Sequence, residues 1–314
     1  MLLTVTLNPC VDHLLRIKKL TIGDTNRVQE QEKDAGGKGL NTSRVYAHLG
    51  GVTIATGFLG GATSAFIRHV MKDENVLDGF VYVAGETRTN FSVEDELGNP
   101  PTTFNQKGPT ITPGEFLALK EKVGMLAVKA DWVSFGGSLP PGVEPNAFHE
   151  LALEAREKGA KVCIDADGEV MTESVRAMPD MIKPNAAEAS RLLGWLVESD
   201  EDALKAANEL YDMIGGGDRY VVISRGSKGA VMVCAEGTFV GISPKVEPRS
   251  TIGSGDSMIA GILRAFAQGR TTEQALRWGL AAGAATALTD GSAIGDRATI
   301  ERLYPEASAT RVEP

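Results

Sequence analysis

Residues Ser250 to Gly261 read STIGSGDSMIAG, and how this stretch is taken governs the reading of the rest of the chain. Past Asp256 the apolar residues fall at Met258, Ile259, Ile262, Leu263 and Phe266, the spacing of one face of an α-helix. Gly253, Ser254 and Gly255 are therefore expected just before a helix N-terminus. There, backbone N–H groups with no side chain in the way approach an anion closely, and the helix dipole adds partial positive charge. Two readings of Asp256 stay open on these residues alone. Ser and Asp are ordinary helix caps. An acid beside an anion hole can instead take the proton from a hydroxyl that attacks a phosphoryl group. Familiar phosphate loops do not decide the matter, because the third glycine of GxGxxG is missing and GxxxxGK[ST] occurs nowhere, around Lys38 and Lys228 included.

Upstream, short apolar runs alternate with helical patterns. Leu2 to Asn8, Val52 to Gly60, Asp131 to Gly137, Lys161 to Asp167, Met181 to Asn185 and Tyr220 to Gly226 each end in Gly, Asn or Asp and read as buried parallel strands. Helix patterns lie between them at Gly39 to Leu49, Ala65 to Glu74, Pro113 to Lys129, Pro145 to Lys158, Ala186 to Trp195 and Glu201 to Ile214. This alternation predicts an α/β fold, a doubly wound and mostly parallel sheet with ligands at the carboxyl ends of its strands. Two stretches break the rhythm: His13 to Lys33 and Thr87 to Lys107 alternate polar and apolar residues, the second around a turn at Gly98-Asn-Pro-Pro101. Together they are expected to form a small β-sheet lid, about 12–34 and 87–107, on a single 1–314 domain. A hairpin over Gly229 to Ser243, turning at Glu236-Gly237, should extend the main sheet, and the residues after Tyr304 read as a frayed tail.

The chain has 314 residues and a formal net charge of -9, which argues against nucleic acid or an anionic membrane as a partner. Cys10, Cys163 and Cys234 form no CxxC pair, so neither a disulfide framework nor a cysteine zinc site is indicated. The histidines His13, His48, His69 and His149 show no metal-ligand spacing. With no basic, apolar leader at the start and no apolar run near a membrane span, a cytoplasmic location is expected.

Six further motifs lie at strand ends, a helix start or the lid. LNPCVD (Leu7 to Asp12) places an acid after the first strand, and AGGKGLN (Ala35 to Asn41) opens the first helix with Gly36, Gly37, Lys38 and Asn41. In the second lid segment, ETRTN carries Arg88, whose fork of donors suits a phosphate. GGSLPPG holds Ser138 in a rigid turn. KPNAAE presents Lys183, Asn185 and Glu188, where an amide and a carboxylate three residues apart can share a helix face and hold Mg²⁺ through water. SRGSKG, from Ser224 to Gly229, ends the next strand in a turn suited to flank nucleotide phosphates.

In identity, spacing and order these motifs resemble the ribokinase-like sugar kinases, the phosphofructokinase B family, from Leu2 to about Tyr304. GSGDSMIAG is similar to the family's GAGDxxxxG signature, and AGGKGLN to its N-terminal glycine signature. The resemblance implies a ribokinase-like fold and a catalytic base at Asp256, with Gly253, Ser254 and Gly255 as the anion hole. It implies sugar contacts from Asp12, Gly36, Gly37 and Asn41, and Arg88 and Ser138 near the substrate and its phosphate. Lys183, Asn185, Ser224, Gly226 and Gly229 would serve ATP, and Asn185 and Glu188 Mg²⁺. Arg225 departs from the SLG often found at that turn. LNPxxD, the lysine at 38, TRxN and GSLPPG most resemble the branch acting on ketohexose phosphates. Fructose 1-phosphate is the first expectation, with fructose 6-phosphate and tagatose 6-phosphate as alternatives, and Lys38, Arg88, Arg27 and Lys107 supply cations for a phosphorylated sugar. A dinucleotide-binding oxidoreductase is disfavoured, because LNPCVD stands where a glycine fingerprint would follow the first strand. The lid face with Phe91, Val93 and Phe104 raises the expectation of a lid-to-lid homodimer.

Overall fold

Each of the six apolar runs becomes a strand, and their parallel pairing brings all their carboxyl ends to one edge. The computed structural model describes residues 1–98 and 100–312. In chain order the strands are β1 (Leu2–Thr6), β2 (Cys10–Ile17), β3 (Val28–Gly36), β4 (Thr53–Gly60) and β5 (Leu77–Asp78). There follow β6 (Val81–Val83), β7 (Arg88–Asp95), β8 (Thr102–Asn105), β9 (Trp132–Gly136) and β10 (Lys161–Asp165). The last are β11 (Met181–Ile182), β12 (Tyr220–Ser224), β13 (Ala230–Cys234), β14 (Gly237–Ile242) and β15 (Ser308–Val312). The helices are α1 (Lys38–His48), α2 (Thr63–Asp73), α3 (Pro113–Ala127), α4 (Ala147–Glu157) and α5 (Gly168–Ser174). Then come α6 (Ala186–Leu193), α7 (Asp200–Met213), α8 (Ser254–Ala267), α9 (Thr272–Ala287) and α10 (Arg297–Leu303).

The large sheet runs β15-β14-β13-β12-β11-β10-β9-β1-β4-β5, with β6 also on β4. From β12 to β5 every pairing is parallel, and β12 to β15 pair antiparallel. Both faces are covered, as continuous apolar strands require. One face packs Leu119, Phe148, Leu151 and Leu210 from α3, α4 and α7. The other packs Ile259, Ile262, Leu276 and Leu280 from α8 and α9. The backbones of α8 and α9 come unusually close: a Cβ on Gly261 would lie 2.6 Å from the Trp278 carbonyl oxygen. Helices α9 and α10 were not singled out in the sequence, although Thr271 and Gln274 form a capping box that starts α9.

The two alternating stretches form a separate four-stranded sheet, β3-β2-β7-β8. They are two hairpins, and the inner strands β2 and β7 join them in parallel. Of the expected turn Gly98-Asn-Pro-Pro101, Asn99 lies outside the described residues. The hairpin β13–β14 turns one residue earlier than expected, since Gly237 already pairs with Cys234. All three cysteines are free and buried, and among the described residues no helix is long and apolar enough to cross a membrane.

The frayed tail is a correction. Ser308–Val312 pairs antiparallel with β14, Ala307 and Ala309 are buried, and Arg277 donates to the Ala307 carbonyl at 2.8 Å. The segment is short and only Ala309 within it is buried, so its strand character comes from the free edge of β14, which local sequence does not display. Deleting residues from Ser308 onward should lower stability in urea unfolding by roughly 2–4 kcal/mol, because a row of ladder hydrogen bonds and the buried Ala309 are lost. An unchanged midpoint would return the segment to the status of a tail.

Candidate active site

Helix α8 starts earlier than the sequence reading places it, so that Gly253 caps it and Gly255 lies within its first turn. Gly253 is the N-cap with φ 77°, so Ser254, Gly255 and Asp256 form the first helical turn. That left-handed conformation is one a glycine adopts without strain. No side chain caps this end, so the ordinary-cap reading of Asp256 falls away. The Asp256 carboxylate instead turns aside and accepts a 2.9 Å hydrogen bond from Asn41 Nδ2. Asn41 comes from the first turn of α1, and Thr42 beside it donates to the Asp256 carbonyl at 3.3 Å.

Asp256 belongs to a buried charge cluster at the strand ends. Asp165, the last residue of β10, is 2% exposed, and Lys183, just past β11, is 3% exposed. Lys38 Nζ lies 3.1 Å from Asp165 Oδ1 and 3.8 Å from Glu188 Oε1, and Lys183 Nζ lies 3.5 Å from the same Asp165 oxygen. Close glycines admit these lysines. A Cβ on Gly255 would meet Lys183 Nζ at 3.0 Å, and one on Gly136 would meet Lys38 Cβ at 3.0 Å.

The two acids are driven apart. Burial opposes ionisation of Asp165, but Lys183 and Lys38 outweigh it and hold its carboxyl below the usual carboxylate range. Burial, and then the negative charge of Asp165, push Asp256 up to about 7, with Lys38, Asn41 and Lys183 pulling the other way. Lys38 is itself raised, since Asp165, Asp256 and Glu188 overcome its desolvation. A carboxylate titrating near neutrality and facing a helix start suits proton abstraction from an alcohol.

Asp12, Gly36 and Gly37 meet where β2 and β3 join the main body. Asp12 accepts from Asn90 Nδ2 at 3.1 Å and from the Cys10 thiol at 3.2 Å. A Cβ on Gly36 would stand 2.1 Å from Asp12 Oδ2, so only glycine leaves room for that carboxylate. Burial, helped by Asp12, pushes the Cys10 thiol upward and keeps it protonated. Arg88 spans the neighbouring junction: it donates to the carbonyls of Asn8 (3.1 Å) and Gln106 (3.2 Å) and to Ser138 Oγ (3.4 Å). Asn8 ties the same corner together, donating to the Lys107 carbonyl at 3.0 Å.

Asn185 and Glu188 sit differently from their expected shared face. Asn185 caps α6, accepting from the Glu188 N–H at 2.9 Å while Glu188 Oε2 accepts from the Asn185 N–H at 2.8 Å. Glu188 Oε1 is the oxygen left facing Lys38. Among the described residues no three His, Cys, Asp or Glu side chains gather as a metal cage. Asp165 and Glu188 offer two carboxylates, a donor set that fits Mg²⁺, which keeps several waters and takes phosphate oxygens. Ser224 lies beside Asn185 through a bridge between the two backbones. Gly226 and Gly229 shape the following turn with φ 59° and 96°, and a Cβ on Gly229 would lie 2.0 Å from the Gly241 carbonyl oxygen. A cavity of about 310 Å³ opens here between the turn and the start of α7.

Three residues at this edge were not singled out beforehand. Asp165 lies within the run KVCIDAD, two residues before its end, Asn8 stands in LNPCVD and Asn90 in ETRTN. An acid near the end of a buried apolar run was the signal for Asp165. Asn8 and Asn90 act through contacts to residues far away in sequence, which no local pattern displays.

A chain of this architecture, with an acid at a glycine-started helix and two lysines converging on a second acid of the same cluster, is suited to transfer a phosphoryl group to an alcohol. The chain belongs to the pfkB family of carbohydrate kinases, which it matches over residues 5–298. It is 31% identical over 312 residues to a 1-phosphofructokinase of Bacillus subtilis, covering 99% of this chain and 100% of that one. It is 33% identical to a tagatose-6-phosphate kinase of Staphylococcus epidermidis, over 88% and 89% of the two chains. The crystal structure of phosphofructokinase-2 from Escherichia coli in complex with substrates and products superposes with a TM-score of 0.89 at 30% identity, covering 97% and 98%. The protein is thus a kinase of the ribokinase-like fold.

If Asp256 is the base, Asp256→Asn should lower kcat by roughly 10³–10⁴-fold. In the parent enzyme kcat/KM should rise with pH to a plateau above about 7. Stability runs the opposite way. An unfolded aspartate releases its proton near pH 4 while Asp256 keeps it to about 7, so the folded chain binds more protons in that window and loses stability as pH rises through it. Asp256→Asn should therefore raise the thermal midpoint by several degrees at pH 8 and leave it almost unchanged at pH 4. An equal shift at both pH values would contradict the assigned pKa.

Proposed function

We propose that this kinase transfers the γ-phosphoryl group of ATP to a hydroxyl of a ketohexose phosphate, with fructose 1-phosphate giving fructose 1,6-bisphosphate as the preferred reaction. The observation that carries the reading is Asp256, poised near neutral pH beside the uncapped start of α8. Asp256 accepts the hydroxyl proton, and the backbone donors of Gly253 to Gly255 receive charge developing on the transferred group. Asp12, the backbone at Gly36 and Gly37, and Asn41, whose Oδ1 is buried without a hydrogen bond, hold the sugar hydroxyls. Arg88, with Ser138 beside it, takes the phosphate already on the sugar. Ser224, Gly226 and Gly229 cradle the nucleotide phosphates with Lys183 and Asn185. Mg²⁺, held by Glu188 and Asp165 through water, would neutralise charge on the nucleotide phosphates. The ammonium of Lys38 pairs with Asp165 and Glu188, which favours a role toward the transferred group over the sugar phosphate expected from sequence.

The small sheet serves as the lid. Its residues Asp12 and Arg88 reach the sugar side, and Leu14 packs near Gly291 of the main body. The names of the relatives, 1-phosphofructokinase and tagatose-6-phosphate kinase, support the substrate class. Turnover measured with fructose 1-phosphate, fructose 6-phosphate, tagatose 6-phosphate and free fructose should rank fructose 1-phosphate first and free fructose last by at least about 100-fold, since only phosphorylated sugars use Arg88. Free fructose as the best substrate would defeat the proposal.

The lid's outer surface supports the expected homodimer. Phe104 is 57% exposed and Val28 48% exposed, whereas Phe91 and Val93 are half-buried, with Phe91 against His13. Phe104→Glu should shift the protein from dimer to monomer in analytical ultracentrifugation. A parent protein that sediments as a monomer would end the dimer proposal.

A further inference from the structure

Arg225 is the second residue of the Ser224–Gly229 turn, and its side chain points to no phosphate-binding group already assigned. Its guanidinium is only 9% exposed. Nη1 lies 2.6 Å from Asp200 Oδ1, and Nη2 donates to the Lys228 carbonyl at 3.3 Å. Asp200 is the first residue of α7 and its side chain is 70% exposed. One side chain thus ties the turn both to itself and to the start of a rigid helix.

The turn needs such a tie. Its backbone closes through Arg225 N–H to the Gly229 carbonyl (2.8 Å), Lys228 N–H to the Arg225 carbonyl (3.2 Å) and Gly229 N–H to the Gly226 carbonyl (3.0 Å). Gly226 and Gly229 both have positive φ, and glycines widen the range of shapes a free loop explores. Arg225 is also a poor device for stability. Its Nε–H is buried without an acceptor, and a donor left so costs free energy. A buried charge held on these terms is better explained by the geometry it fixes than by the stability it adds.

We infer that Arg225 is a positioning residue for the nucleoside triphosphate: paired with Asp200, it locks the Ser224–Gly229 turn in the shape that meets the phosphate chain. The inference rests on the nucleotide reading of that turn given above. It makes Asp200, on a different helix and outside the phosphate turn, part of the nucleotide site's support.

The test is steady-state kinetics on the full-length enzyme and on Arg225→Leu, Arg225→Lys, Asp200→Asn and the Arg225→Leu/Asp200→Asn double variant, with ATP and sugar phosphate varied separately. Losing either partner should raise KM for ATP about tenfold, the scale of one charge-assisted hydrogen bond. The double variant should be no worse than Arg225→Leu, Arg225→Lys should recover part of the loss, and KM for the sugar phosphate and the pH midpoint should stay unchanged. Equal rises in both KM values, or an unchanged KM for ATP, would overturn the inference. Should Arg225→Leu not fold, Asp200→Asn decides alone, because its side chain is exposed. A parent enzyme that turns over with ATP while the variants match it defeats only this inference; a parent that transfers nothing from ATP defeats the functional reading along with it.

Discussion

The site depends on an unequal sharing of charge. Two buried carboxylates and two lysines meet at the strand ends, with Glu188 beside Lys38, and the cations are not shared evenly. Both Lys38 and Lys183 approach the same oxygen of Asp165. Asp256 has a neutral amide as its hydrogen-bond partner. Burying an isolated carboxylate is expensive, and its cost is offset only by close cations. Asp165 therefore keeps its charge, and that charge makes ionisation of Asp256 harder. One acid is fixed and the other is left responsive near neutral pH, as in other pairs of catalytic acids whose environments separate them.

The architecture follows from the need to bring these groups together. Lys38 opens α1, Asp165 ends β10, Lys183 follows β11 and Asp256 lies in the first turn of α8. In a parallel sheet every strand points its carboxyl end the same way, so residues more than a hundred positions apart share one edge. Gly136 and Gly255 leave the lysines room, since a Cβ at either place would press against a lysine side chain at 3.0 Å. Glycine at these places is a matter of space, whereas at Gly253 it is a matter of backbone conformation.

How much of this was legible in the sequence follows from how local each signal is. Buried parallel strands announce themselves as apolar runs ending in Gly, Asn or Asp, so the six strands from Leu2 to Ser224 were readable, and the glycine-started helix with Asp256 equally so. The Ser308–Val312 strand was not, because its partner β14 supplies the reason for it. Asp165 lay inside the apolar run Lys161 to Asp167, and its role comes from Lys38 and Lys183, which reach it from other elements. The direction of Lys38 was likewise hidden. A lysine in a glycine-rich helix start reads as a cation near the substrate, and only the fold shows which acids it faces.

Asn185 and Glu188 show how one pair of residues serves both helix and site. Read along the sequence, an amide and a carboxylate three residues apart suit a capping box as well as an ion. The fold divides the atoms. Asn185 Oδ1 and Glu188 Oε2 are occupied by the backbone N–H groups at the start of α6. Glu188 Oε1 is left toward Lys38 and the charge cluster. The cap fixes the rotamer of the carboxylate, and with it the oxygen presented to the site. Replacing Glu188 by glutamine would keep a cap acceptor while removing the charge, so the structural and chemical duties of this residue are separable even though a single side chain carries both.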